Sequence, residues 1–188
     1  HNPMMHGPFQ FEANTLIFTL FGASDYTGRM LYAALGTALV GLPFFLRPYL
    51  GRLGALCVAG LLAFSPTMLY FSRFARNDIL VAVWTLGLVI CMWRYMDERR
   101  PAYLYGFAAL LAFSFSTKEN AYLHAVILGV FLSIVALAQL LAVVRRVGLA
   151  GVMRVHRRFS LRRLSPPAVL LVLLVTLTLP QWMPMLSV

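Results

Sequence analysis

Residues 121–144 read AYLHAVILGVFLSIVALAQLLAVV, an apolar stretch without Asp, Glu, Lys or Arg. A helix needs about 20 such residues to cross the hydrocarbon core of a bilayer. The whole 188-residue chain has this character, because it is 61% hydrophobic and only 12% charged. A soluble domain carries about a quarter charged residues. The composition therefore predicts an all-α integral membrane protein.

Further apolar runs extend this stretch into a predicted transmembrane bundle of about six spans. The other five runs cover residues 30–46, 53–71, 79–96, 102–116 and 167–183. Pro66 is expected to kink the second span. The preceding run Phe9–Phe21 is too short to cross, and we expect it to form a helix that lies along the membrane interface.

The spans divide the chain into four predicted segments. These are an outer segment with the interfacial helix at 1–28, a five-span core at 29–144, a basic cytoplasmic loop at 145–165 and the sixth span at 166–188. The chain opens on HNPMMHGPF without an initiator Met or a signal sequence, which is typical of a processed chain or of part of a longer one.

The orientation follows from the distribution of positive charge. Arg29, Arg73, Arg76 and Lys118 lie on one side of the predicted bundle, and the other twelve of the sixteen Lys and Arg lie in loops on the opposite side. The positive-inside rule makes the twelve-cation side cytoplasmic. We therefore expect a protein of the inner (cytoplasmic) membrane whose three polar motifs, near residues 6–8, 72–78 and 117–120, all face outward.

The net charge of +10 also bears on partners. The arginines of the chain lie between apolar runs, and no nucleic-acid-binding fold surrounds them, so no nucleic-acid partner is expected. The basic loop is instead expected to contact anionic lipid.

The turn between the second and third spans reads SRFARND. Arg73 and Arg76 are one helical turn apart, and two neighbouring guanidinium groups suit a phosphate. Asp78 can neutralise an arginine, bind a metal or act as a base toward a hydroxyl. The equally weighted alternative is an Arg–Asp ion pair at a helix end.

The next outward turn reads STKEN and contains Lys118, the only lysine of the chain. One interpretation gives Lys118 a phosphate oxygen and places Glu119 in the same polar site. The other, which we favour from the residues alone, is a solvated Lys118–Glu119 pair with Thr117 capping the fifth span.

The N-terminal histidines are the remaining candidates for ligand binding. His1 and His6 have no acidic neighbour closer than Glu12, which makes a poor metal site. No haem, quinone or iron–sulfur motif is present either. We therefore expect no metal and no cofactor.

Three stretches together carry a family resemblance. In order, HGPFQFEANTLIFTLFGASDYTGRML, SPTMLYFSRFARND and STKENAYL resemble the central part of bacterial and archaeal membrane proteins of the dolichyl-phosphate-mannose-protein mannosyltransferase superfamily, in particular the flippase-activity-associated subgroup. These GT-C glycosyltransferases take a sugar from a polyprenyl-phosphate donor at the outer membrane face. The resemblance covers 6–123. It implies a lipid-phosphate site with Arg73, Arg76 and Lys118 as phosphate ligands and Asp78, Glu119 and His6 nearby.

That family also has an additional span and an acidic motif in the first outer loop, whose carboxylate is the expected catalytic base. Neither is among these 188 residues, so the resemblance implies part of the scaffold and of the site, with Asp78 as the candidate catalytic residue.

The alternative hypothesis is a non-catalytic accessory transmembrane subunit of a larger electron-transfer or transport complex. Such a subunit would pack against other chains through small residues that allow close helix approach. The candidates are Gly36, Gly41, Gly60 and Gly87.

Overall fold

The computed structural model describes residues 7–147 and 165–186, and these residues form helices joined by short turns. The α-helices are α1 (Phe9–Phe21), α2 (Thr27–Gly41), α3 (Arg47–Phe64), α4 (Pro66–Arg73), α5 (Asn77–Glu98), α6 (Pro101–Thr117), α7 (Ala121–Val147) and α8 (Pro166–Leu186). A 3₁₀ helix, Leu42–Leu46, connects α2 to α3. The described residues contain no strand, which confirms the all-α fold class.

Three helical segments are long and apolar enough to cross a membrane. They are Thr27–Phe64, Asn77–Glu98 and Ala121–Arg145. The 17 residues of α6 are fewer than a span usually needs, and Pro166–Pro180 is a shorter apolar helix. The protein is therefore an integral membrane protein, and the number of six spans stays a prediction.

The first two predicted spans have different boundaries in the structure. The loop expected between the first two spans, at 47–52, is largely helical, since α3 already begins at Arg47. Pro48 permits this because proline suits a first helical turn. The helix is broken instead at Gly51, whose φ of 72° and ψ of 174° favour glycine.

The predicted kink of the second span is a complete break between α3 and α4. Ser65 is extended, as the residue before a proline tends to be, and its hydroxyl accepts a hydrogen bond from the Met68 N–H at 3.5 Å. Pro66 then occupies the first turn of α4.

The α5–α6 hairpin is the centre of the bundle. Arg99 closes α5 in the left-handed conformation (φ 53°), and its N–H bonds to the Tyr95 carbonyl at 3.0 Å. Pro101 begins α6, in the first helical turn that suits proline. A buried core joins this hairpin to α7 and α8 through Leu88, Met92, Phe107, Leu111, Leu128, Leu132, Leu170 and Leu174.

A second core joins α2 to the first half of α5. Its buried members are Tyr32, Leu39, Ile79, Leu80 and Val83. This core packs the N-terminal half of α5 against α2.

The accessory-subunit hypothesis expects four glycines to contact other chains, but two of them pack inside this chain. A Cβ on Gly36 would lie 2.6 Å from the Ser72 Cβ, and one on Gly87 would lie 2.9 Å from the Leu110 Cδ1. These glycines allow close approach between helices of the same bundle. Gly41 and Gly60 have no such neighbour within 4 Å.

Helix α1 has the predicted bounds Phe9–Phe21 and no buried residue. It ends at Gly22, whose φ of 81° suits glycine at a helix C-terminus. The Asn14 amide donates to the buried Tyr32 hydroxyl at 3.1 Å, which anchors α1 to α2. Its position along the membrane interface remains a prediction.

Candidate functional site

The centre of the candidate site is the Asp78 carboxylate in the first turn of α5. Lys118 Nζ lies 2.8 Å from Asp78 Oδ1, and Arg76 Nε lies 3.3 Å from Asp78 Oδ2. The side chains of Asp78 and Lys118 are each about a quarter exposed, at 27% and 28%, whereas Arg76 is 57% exposed. The SRFARND and STKEN turns therefore meet.

The ends of α5 and α6 explain this meeting. Arg76 is extended and caps α5, so that Asp78 sits in the first turn, where the helix dipole favours a negative charge. Lys118 is extended and follows the last residue of α6. Because α5 and α6 are antiparallel, the start of one lies beside the end of the other.

Gly7, the second residue of the HGP motif, docks on the same end of the bundle. The Gly7 N–H donates to the Thr117 carbonyl at 3.3 Å. Gly7 must be glycine here, because a Cβ would lie 1.9 Å from the Ser116 carbonyl oxygen. Gln10, in the first turn of α1, donates to the Ala75 carbonyl at 3.2 Å and so ties the start of α1 to the SRFARND turn.

Aromatic side chains of α1, α5 and α6 pack against one another next to these turns. The Phe9 ring packs edge-on against Trp84 and Phe113, at centroid distances of 5.6 and 5.4 Å. The Trp84 indole donates to the fully buried Thr117 hydroxyl at 3.1 Å. Thr117 thus joins α6 to α5 and does not cap the helix after it, because its own hydroxyl donates back to the Phe113 carbonyl.

The other sequence-predicted residues stand apart from the Asp78 ion pairs. Arg73 is exposed at the end of α4, and no carboxylate in the described part of the chain pairs with it. Glu119 is exposed and forms no ion pair with Lys118, so the solvated Lys118–Glu119 pair is not formed. His1 and His6 lie outside the described residues.

Asn77 is a polar residue of this site that the motifs alone do not single out. It is 4% exposed, and neither atom of its side-chain amide has a hydrogen-bond partner among the described residues. A buried amide without partners is unusual. Only its place between Arg76 and Asp78 signals it in the sequence.

The charge of the site favours an anion. One carboxylate, that of Asp78, faces two cations, Arg76 and Lys118. Within the described ranges, no group of three or more His, Cys, Asp and Glu side chains is placed to hold a metal ion.

Helices long and apolar enough to cross a membrane define the class, an integral membrane protein, and the charged Asp78 cluster lies at one end of its bundle. Within this class, the family model for dolichyl-phosphate-mannose-protein mannosyltransferase matches residues 5–153, which is more than half of the chain and includes all three motifs. The chain belongs to this GT-C-like family. No curated protein and no solved structure matches it.

Proposed function

We propose that the Arg76–Asp78–Lys118 cluster binds the phosphate of a polyprenyl-phosphate-linked sugar at the outer membrane face, as part of a glycosyltransferase. The observation that carries this proposal is the convergence of Arg76 and Lys118 on a single carboxylate. Two cations that share one anion retain positive charge for a ligand, and family membership makes a lipid-linked sugar donor the natural ligand.

The chemistry of the two cations suits a phosphate that sits at headgroup depth. Arg76 offers paired planar donors, while Lys118 acts as a compact point charge. Arg76 also lies over the Phe71 ring, with its Cζ 5.7 Å from the centroid, which restricts the guanidinium.

Asp78 has a double role in this proposal. Both of its oxygens are engaged, Oδ1 by Lys118 and Oδ2 by Arg76. A bound phosphate competes for the same cations and releases the carboxylate. The released Asp78 is then free to accept a proton or to hold the acceptor hydroxyl, which keeps it the candidate catalytic residue.

Binding of a polyprenyl monophosphate to the full chain in detergent micelles tests the proposal, with the corresponding polyprenol as the matched probe without phosphate. Charge-assisted hydrogen bonds contribute about 1.5 to 3 kcal/mol each, so Arg76→Gln and Lys118→Gln should each weaken binding about tenfold or more. Arg73→Gln should have a smaller effect, because Arg73 does not contact the Asp78 cluster.

Arg157→Gln, in the predicted cytoplasmic loop, is the control and should leave binding unchanged. Equal affinity for the polyprenol and its phosphate would contradict the proposal, as would an Arg157→Gln effect as large as that of Arg76→Gln.

An accessory-subunit role has less support. Gly36 and Gly87, two of the four small residues expected to contact other chains, are used within this bundle. A structural subunit also has no need for two cations gathered at one carboxylate. If that role were correct, Arg76→Gln and Lys118→Gln would alter assembly and leave phosphate affinity as it is.

A further inference from the structure

A groove of about 630 Å³ runs between the end of α2 and the first half of α3. Its volume is that of an ordinary small-molecule site. Apolar side chains and two arginines form its walls, including Gly41, Phe44, Arg47, Arg52, Leu53 and Leu56. The groove lies in a part of the bundle that the Asp78 cluster does not use.

The contacts of the adjacent turn place this groove at the opposite end of the bundle. The Tyr49 hydroxyl donates to the Asp97 carboxylate, and Arg94 donates to the Phe45 carbonyl at 3.3 Å. Both partners lie in the last turns of α5, whereas Asp78 lies in its first. The intervening helix is about 30 Å long at 1.5 Å per residue, which is the thickness of the hydrocarbon core.

The two arginines of the groove are not neutralised. No carboxylate in residues 7–147 or 165–186 forms an ion pair with Arg47 or Arg52 where side chains are described. The acids of this end are already engaged, Asp97 by Tyr49 and Glu98 by Arg94 and Arg100. Arg47 lies against the Phe44 ring, with its Cζ 6.0 Å from the centroid.

The geometry points to a binding site for an anionic glycerophospholipid of the leaflet opposite the Asp78 cluster. Arg47 and Arg52 bind its phosphate, and one acyl chain lies in the apolar part of the groove beside Leu53 and Leu56. Gly41 leaves space for this chain, because a Cβ there would meet no atom within 4 Å. The site is independent of the function proposed above.

Native mass spectrometry of the delipidated full chain in detergent tests the site. The probes are phosphatidylglycerol and phosphatidylcholine with identical acyl chains, added separately. The wild type should retain more phosphatidylglycerol than phosphatidylcholine. Arg47→Gln and Arg52→Gln should each reduce this preference roughly fivefold, the usual effect of one basic residue near an anionic bilayer surface.

Two further variants, one in the groove and one away from it, separate the contributions of shape and charge. Gly41→Leu fills the groove and should lower retention of both lipids. Arg52→Gln changes an exposed side chain and should leave folding intact, which keeps the headgroup test valid if Gly41→Leu is unstable. Arg29→Gln removes an exposed cation in the first turn of α2, at the end of that helix away from the groove, and should change nothing.

Equal retention of the two lipids by the wild type would overturn the proposal. So would an Arg29→Gln effect as large as that of Arg47→Gln. A third result would overturn the proposal as well: a wild-type dimer that Gly41→Leu dissociates while lipid retention is unchanged. The groove would then be a contact with a second copy of the chain.

Discussion

Lys118 Nζ lies 2.8 Å from Asp78 Oδ1 and joins the end of α6 to the first turn of α5 across 40 residues of sequence. Asp78 also pairs with Arg76, whereas Lys118 has no second carboxylate in the described part of the chain. The two partners are therefore not equivalent, and their substitutions should differ in cost.

Asp78→Asn should destabilise the protein more than Lys118→Gln, because the first change removes two ion pairs and the second removes one. A double-mutant cycle should give a coupling of about 1 kcal/mol for this half-buried pair. The free energy of unfolding in detergent micelles measures both effects. Glu119→Gln is the control, since that exposed carboxylate has no ion-pair partner, and its effect should stay within about 0.5 kcal/mol. A coupling of zero would show that the contact contributes nothing to stability.

Gly7→Ala should detach the HGP turn from α6. The new methyl group would lie 1.9 Å from a backbone oxygen, and backbone cannot move aside as a flexible side chain can. Overpacking of this kind costs about 1 to 3 kcal/mol. Thermal unfolding and protease cleavage near the N-terminus measure the loss.

Gly60→Ala is the matched control for Gly7→Ala. Gly60 lies inside α3 with no atom within 4 Å of the added Cβ, so the change should stabilise the helix by about 0.5 to 1 kcal/mol. Equal effects of the two substitutions would mean that the HGP turn is not packed on α6.

The extent of α1 could be predicted from sequence because its ends are local. Pro8 precedes it, and Gly22 at a φ of 81° follows it. The boundary between the first two spans, near residues 47–52, could not be predicted in this way, since arginines and Pro48 are common both in loops and in first helical turns. The break falls at Gly51, where the backbone conformation suits only glycine.

The site shows the same division between local and non-local information. The distribution of cations over alternate loops predicts that the SRFARND and STKEN turns lie on one side of the bundle. Whether Lys118 then pairs with Glu119 or Asp78 depends on the register of the α5–α6 hairpin, and that register is set by packing around Phe107 and Leu111. Tertiary packing also buries Asn77, for which the sequence offers no signal beyond its place between Arg76 and Asp78.

Thr117→Val should destabilise the contact between α5 and α6 beneath the site. The Trp84 indole N–H would lose its acceptor in a buried position, which costs about 1 to 3 kcal/mol. Thr117→Ser keeps the hydroxyl and should retain most of the stability. Unfolding in detergent compares the two variants, and a loss with Thr117→Val no larger than that with Thr117→Ser would contradict a stabilising role of this hydrogen bond.

Helix α6 is the short span on which the predicted topology depends. Its 17 residues are about 26 Å long, slightly less than the hydrocarbon thickness, so it crosses only if the bilayer thins locally or flanking polar groups reach the interface. We expect Arg100 and Glu119, which flank α6, to lie on opposite sides of the membrane, with Glu119 outside. Both residues are exposed, which makes them suitable for cysteine labelling, whereas Asn77 is buried and unsuitable.

A membrane-impermeant maleimide added to intact cells measures this arrangement, in a background with Cys57 and Cys91 replaced by alanine. Glu119→Cys should react directly, and Arg100→Cys should react only after permeabilisation. The opposite pattern would invert the orientation derived from the arginine distribution. Direct labelling of both positions would show that α6 does not cross, and the Asp78–Lys118 pair would then belong to a bundle with fewer than six spans.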